Sequence, residues 1–249
     1  MSVEDSDSTQ RAPSSATNRE TPHTLTVFDA DLKRLRDQLL IMAGTVIENV
    51  EEAMRGLLGG HQDLCNEVIA EDEVVDQLEK EIGVIGMQIL TRYKPVATDL
   101  RRVLSSMNIV RMVERIGDHA VNIAREARKM FKKGVITEES TMFEPLYALA
   151  IGELKDAITA FKEDNQELAL GLEARDKELD KLHKKLTKSL TGIIEERQEG
   201  ASFLIHLLFI SRSLERIGDL AVNIGEEVVF IESAEDIRHL NSSRRTLSR

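Results

Sequence analysis

The sequence predicts an all-α fold, with six long helices forming two tandem three-helix bundles. Three observations predict it. The stretch Glu114-Arg115-Ile116-Gly117-Asp118-His119-Ala120-Val121-Asn122-Ile123 returns 101 residues later as Glu215-Arg216-Ile217-Gly218-Asp219-Leu220-Ala221-Val222-Asn223-Ile224, ungapped, with His119/Leu220 as the departure. Such self-similarity marks one supersecondary unit used twice. Aromatic residues are only 4% of the chain, Trp is absent and Pro occurs four times, which favours helix over sheet. Finally, apolar residues recur at helical spacing. Ser105, Ile109, Val113, Ile116, Ala120, Ile123 and Ala127 share one face of the first motif helix, and Leu207, Ile210, Leu214, Ile217, Ala221, Ile224 and Val228 share one face of the second.

Each element follows in order. Residues 1–26 are expected to form a disordered N-terminal tail, rich in Ser, Thr, Asp and Glu and without the apolar run of a signal peptide. The first repeat spans residues 27–134. Its first helix starts near Phe28, with Asp29 or Asp31 as N-cap, carries the stripe Leu32, Leu35, Leu39, Met42, Val46, Val50, Ala53 and Leu57, and ends at Gly59-Gly60. The second helix runs from about His61 to Tyr93 and is stopped by Pro95. A third, from about Thr98 to Lys132, carries the first motif and closes at Gly134. The second repeat spans 135–233. Its helices cover about Glu138–Lys162, with Pro145 in the first turns, then Asn165–Arg197, closed by Gly200, and Ser202–Glu232. Residues 234–249 are expected to be a flexible C-terminal tail. The repeats are related either by a pseudo-twofold or by a translation.

A net charge of −11 argues against nucleic acid as partner. The single Cys65 excludes an internal disulfide and fits a reducing, cytoplasmic setting, as a buried, inert thiol. The longest charge-free apolar stretch, Ala201 to Ser211, is 11 residues. A membrane-spanning helix needs about 20, so the protein is peripheral to a membrane at most. Phosphate-binding-loop, nucleophile-elbow, zinc-protease and Cys-x-x-Cys motifs are absent. Neither repeat contains a Glu-x-x-His pair of the ferritin-like kind. No catalytic residue is identified, and the chain is read as a non-enzyme.

The chemistry lies in carboxylates facing away from the core stripe. Glu114 and Asp118 lie four residues apart, as do Glu215 and Asp219. Like charges at this spacing repel by about 0.2–0.5 kcal/mol. The preceding helix of each repeat carries a second pair, Asp72/Asp76 and Asp176/Asp180. With antiparallel neighbours, each unit then offers four carboxylates across one groove. One reading places a hard divalent or trivalent cation there (Mg, Fe, Mn, Zn or Ca). The other leaves the acids as solvated ion pairs with Arg111 and Arg212, three residues before each Glu. Gly117 and Gly218, inside helices, mark either close approach of a backbone or ligand, or tight helix packing. His119 is expected to be solvated, and His206 to be a core histidine with one hydrogen bond.

The duplicated pattern Glu-Arg-Ile-Gly-Asp-x-Ala-x-Asn-Ile, with Lys94-Pro95-Val96-Ala97-Thr98-Asp99-Leu100-Arg101 before its first copy, resembles the PhoU family of phosphate-uptake regulators over residues 28–232. The resemblance implies a cytoplasmic helical protein that negatively controls the phosphate-starvation response. It would link the ATPase of a phosphate ABC transporter to a sensor histidine kinase and bind metal ions on its acidic motifs. Those ligands map to Glu114, Asp118, Glu215 and Asp219, with Asp72, Asp76, Asp176 and Asp180 opposite and Asn122 and Asn223 as neutral oxygen donors. The second repeat lacks the Pro-Val-Ala-x-Asp-Leu-Arg lead-in; Glu199-Gly200-Ala201-Ser202-Phe203 stands there. With Lys177 and Arg175 diluting its charge, the second site is expected to bind more weakly or differently. Broad apolar faces suggest a homodimer. The competing classes are a carboxylate-bound metal store or metal-dependent enzyme, and a structural helical adaptor.

Overall fold

The computed structural model describes residues 22–131, 138–196 and 202–234. Six long helices occur in order: α1 (Pro22–Gly59), α2 (Gln62–Tyr93), α3 (Ala97–Phe131), α4 (Glu144–Glu163), α5 (Gln166–Glu196) and α6 (Ser202–Ser233). A 3-10 turn, Glu138–Phe143, leads into α4. No strand occurs among the described residues. Residues 1–21 and 235–249 of the expected tails, the helix ends at Gly134 and Gly200 and most of Glu199–Phe203 lie outside the described residues, while residues 22–26, expected as tail, form the start of α1.

The two apolar stripes read from the motif helices are buried throughout. So is the α1 stripe from Leu35 to Leu57, with Leu32 partly buried against it. Helix ends follow local chemistry. Gly60 (φ 70°) reverses the chain after α1, where only a residue lacking Cβ is unstrained. At the end of α2, Lys94 takes a left-handed conformation (φ 49°), and its N–H donates to the Leu90 carbonyl at 3.2 Å. Pro95 follows directly.

Two boundaries differ from expectation. Asp29 and Asp31 do not cap α1, because the helix already begins at Pro22; a proline suits a first helical turn, where its missing N–H has no partner to lose. Asp31 instead accepts a hydrogen bond from the Tyr93 hydroxyl at 2.7 Å, tying α1 to the end of α2. The helix expected from Glu138 is split into a 3-10 turn and α4, with Pro145 in the first turn of α4. Proline is tolerated there and breaks a helix further in.

Helices α1–α3 pack on one another, as do α4–α6, and the two bundles join through α3 against α6 and α1 against α4. The seam runs antiparallel. Arg101 at the start of α3 donates to the Ile231 carbonyl at the end of α6 at 3.1 Å. Asn108 donates to Glu227 at 3.1 Å. Near the other end of α3, Glu126 meets His206 at 2.6 Å. On the other seam, Arg36 early in α1 reaches Asp164 and the Phe161 and Lys162 carbonyls at the end of α4. Lys155 reaches Glu51 further along at 2.5 Å. Opposed register in both seams selects the pseudo-twofold over a translation. Both bundles contribute to one continuous hydrophobic core.

Candidate functional site

The expected carboxylates of each half lie near enough to feel one another's charge, across α2 and α3 or across α5 and α6, but they do not share one outward face, because Asp176 is buried. In the first half, Asp72 feels the negative charge of Asp118 and Asp76. Glu114 feels Asp118, Glu79 and Asp76. Burial first, and then these neighbours, push the Glu114 carboxyl up to about 7. Asp72 is raised for the same reasons, against the opposing pull of Arg125, 3.8 Å away. Glu79 is the added member. It lies one turn beyond Asp76, a spacing that places both on one face, so its signal was present in the sequence.

The second half differs in depth. Burial first, then Asp219, raise the Glu215 carboxyl, while Arg216 opposes the shift. Asp176 is buried, not outward-facing as the sequence suggested. It packs beside Glu153 of α4, which is fully buried and which the motif search missed. Burial first, then Asp176, push Glu153 up to about 8, with Asp180 and Asp219 adding to the effect and Arg175 opposing it. Neither Glu153 carboxyl oxygen has a hydrogen-bond partner among the described residues. Only a doubled acid stood out in the repeat, and Glu153 is not doubled.

The glycines owe their place to packing. A Cβ on Gly117 would stand 3.4 Å from Val75 and 3.5 Å from Val46. On Gly218 it would stand 2.9 Å from Leu179 and 3.0 Å from Glu153 Oε2. These neighbours are side chains of the adjacent helices, as in tight helix packing.

The expected counter-charges are also rearranged. Arg111 and Arg212 form no ion pair with the motif acids. Arg216, inside the motif, does: its Nη1 lies 3.2 Å from Asp219 Oδ2 and its Nε 3.5 Å from Glu215 Oε2. Lys177 pairs with Glu173 at 3.1 Å, and Arg175 with Asp156, so neither dilutes the groove by direct contact. Lys184 stands 3.8 Å from Asp180. His119 is half-buried rather than solvated. Burial first, then Arg115, Arg216 and Arg212, hold it down to about 4, so it is neutral at pH 7. His206 makes its one hydrogen bond at the seam between the halves, not in the core. Cys65 is buried as expected, and burial pushes its thiol up to about 11.

The donor chemistry suits a hard cation: several carboxylates in each half, four of them (Asp72, Glu114, Glu153 and Glu215) raised first by burial and then by their acidic neighbours, and a buried carboxyl with unpartnered oxygens. Among the described residues, no three His, Cys, Asp or Glu side chains already converge as a closed coordination group. The acids share a field rather than one sphere. No helix among the described residues is long and apolar enough to cross a membrane.

Comparison with known proteins places the chain. The model of the PhoU domain matches twice, over residues 39–127 and 144–228, one match to each bundle. A Pseudomonas putida protein named phosphate-specific transport system accessory protein PhoU homolog is 33% identical over 226 residues, covering 91% of this chain and 88% of its own length. The crystal structure of PhoU from Pseudomonas aeruginosa superposes with a TM-score of 0.81 at 31% identity, covering 84% of this chain and all of that one. The phosphate transport system regulatory protein PhoU from Streptococcus pneumoniae superposes at 0.77, with 27% identity over 84% of this chain and 98% of that one. Two matched domains, identity across most of the chain and a shared six-helix architecture establish that this chain belongs to the PhoU family.

Proposed function

We propose that this chain regulates phosphate uptake as a cytoplasmic, non-enzymatic accessory protein. It damps the phosphate-starvation response by linking the ATPase of a phosphate transporter to a sensor histidine kinase. Its switch is a metal ion, Mg, Mn, Fe, Zn or Ca, on the duplicated acidic grooves, and its working form is a homodimer. The regulatory role is supported by relatives named as accessory or regulatory proteins of phosphate transport. Exposed Val84 and Met87 on α2 supply apolar surface of the kind a second copy could cover.

The observation that supports the metal reading is the shared negative field of Asp76, Asp118 and Glu79 at Glu114, which adds to burial in pushing that carboxyl up to about 7, against the pull of Arg115. Asp72, Asp76, Glu114 and Asp118 would hold the ion in the first half. Asp176, Asp180, Glu215 and Asp219 would hold it in the second, with Glu153 beneath; Asn122 instead faces the seam between the halves, beside Arg115 and Arg216. A bound cation supplies positive charge that relieves repulsion within each groove. The carboxylates then shed their protons, the groove stiffens, and the face turns from negative toward neutral, a local charge change that a docking partner can read. The second groove is expected to bind more weakly, because Arg216 already occupies Asp219 and Glu215.

The test is binding of the purified chain to the transporter ATPase, and to the kinase cytoplasmic portion, after chelation and after metal reloading. Reloading is expected to restore binding at least tenfold over the stripped protein. Unchanged binding would eliminate the charge switch. Oxidase or phosphatase turnover on adding iron or manganese would favour a metal enzyme instead.

A further inference from the structure

The antiparallel register of α3 and α6 brings the two motif copies face to face and opens a pocket of about 360 Å³ between them. Arg115 comes from one copy and Arg216 from the other, with Arg212 one turn before it. His119, Asn122 and Ser213 complete the polar wall. The convergence is felt electrostatically, because all three guanidinium groups act on the His119 ring. In a chain of net charge −11, a concave site lined by three arginines runs against the general field. Arg115 and Arg212 make no hydrogen bond or ion pair with any described residue. The acidic grooves hold neither by direct contact, although Arg115 acts on the Glu114 carboxyl through space.

We propose that this pocket binds a hydrogen-phosphate-type oxyanion, as inorganic phosphate or the terminal group of a phosphate monoester. Planar guanidinium forks match the edges of a tetrahedral oxyanion in paired hydrogen bonds, and three of them suit a doubly charged anion. The Ser213 hydroxyl and Asn122 amide add neutral donors. Two features select phosphate over sulfate. The Glu126 carboxylate also lines the pocket, bound by Lys129 and His206 at 2.6 Å each but with lone pairs to spare. His119 Nδ1 is buried without a partner among the described residues. Either can accept the P–OH hydrogen of hydrogen phosphate. Sulfate at neutral pH has no proton to give and meets the carboxylate as a like charge.

The site is separate from the carboxylates and does not depend on their binding metal. Arg216 nevertheless touches both, since it also pairs with Asp219 at 3.2 Å.

The test is isothermal titration of the full chain with inorganic phosphate, with sulfate and with a phosphate monoester such as glycerol phosphate, all with chelator present so that a metal-bridged anion cannot contribute. Phosphate or the monoester is expected to bind saturably, and sulfate at least tenfold more weakly. Arg115→Gln/Arg212→Gln should weaken phosphate at least tenfold, and Arg212→Lys by a smaller factor. Lys33→Gln, which removes an exposed cation of α1 outside the pocket, should leave phosphate binding unchanged. Thermal melts of each variant report whether it is folded, and Arg212→Lys keeps the test open if the double variant is not. Absence of saturable binding by wild type, equal affinity for sulfate, or undiminished binding in both arginine variants would overturn the proposal. So would capture of an acidic peptide in preference to phosphate.

Discussion

Glu153 on α4 stands where Asn49 stands on α1. The two helices end at equivalent left-handed residues, Gly60 and Asp164, which are 104 residues apart like the pair Asn49 and Glu153. Both side chains are buried. Neither Asn49 Oδ1 nor the Glu153 carboxyl has a hydrogen-bond partner among the described residues. One bundle thus holds a neutral amide where the other holds a titratable acid.

This difference makes stability depend on pH. The folded Glu153 pKa, about 8, lies above its ordinary value of 4.5. The folded state therefore holds the proton more tightly, and its advantage is complete below about pH 4.5 and lost as pH rises through 8. Burial sets this first; Asp176 and Asp180 on α5 and Asp219 on α6 add to it, and Arg175 on α5 opposes it. Glu153→Gln mimics the protonated acid and copies the amide of the other bundle. It should leave stability at pH 5 within about 1 kcal/mol of wild type, and raise it at pH 8.5 by about 1–3 kcal/mol. Denaturant melts at the two pH values check this. An equal effect at both would mean that Glu153 does not titrate in this range.

The two motif glycines should respond differently to alanine. Gly117→Ala adds a methyl at ordinary contact distance from Val75 and Val46 and gains about 1 kcal/mol of helix propensity. Gly218→Ala drives a methyl into Leu179 and Glu153, both buried, where overpacking costs about 1–3 kcal/mol. Thermal melts should place Gly117→Ala at or above wild type and Gly218→Ala clearly below Gly117→Ala.

The seam between the halves can be probed at Glu126 and His206. Burial alone would raise the Glu126 carboxyl, but its hydrogen bonds to Lys129 and His206 outweigh this and hold it below the ordinary range. A depressed folded pKa gives stability that is present above the unfolded value and is lost as pH falls through the folded one. Glu126→Gln should cost about 1–2 kcal/mol at pH 7, and the loss should shrink below about pH 4. Urea melts at pH 7 and pH 3.5 measure it. A loss of equal size at both pH values would assign the effect to packing instead of charge.

Much of the fold was legible because the helical period is strong. The motif stripes, from Ser105 to Ala127 and from Leu207 to Val228, are buried as their spacing requires. Breakers such as Gly60 and Pro95 act locally, so they mark real ends. The start of α1 was not legible, because Asp29 and Asp31 look like caps until Tyr93 is seen to claim Asp31. In the site, duplication exposed eight carboxylates but concealed Glu153, whose repeat partner is an amide. Arg216 was likewise overlooked as the counter-charge. Its ion pair with Asp219 follows from side-chain direction on the helix, which one-dimensional spacing does not resolve. The arginine pocket needs the antiparallel seam, which the sequence left open.

The central claim is that the paired acidic grooves hold cations, and isothermal titration of chelator-stripped protein with manganese or magnesium tests it most directly. Wild type should bind saturably, Glu114→Ala/Asp118→Ala should lose the tighter site, and Glu215→Ala/Asp219→Ala the weaker one. Wild-type protein that takes up no metal, or two double variants that bind as wild type does, would contradict the account.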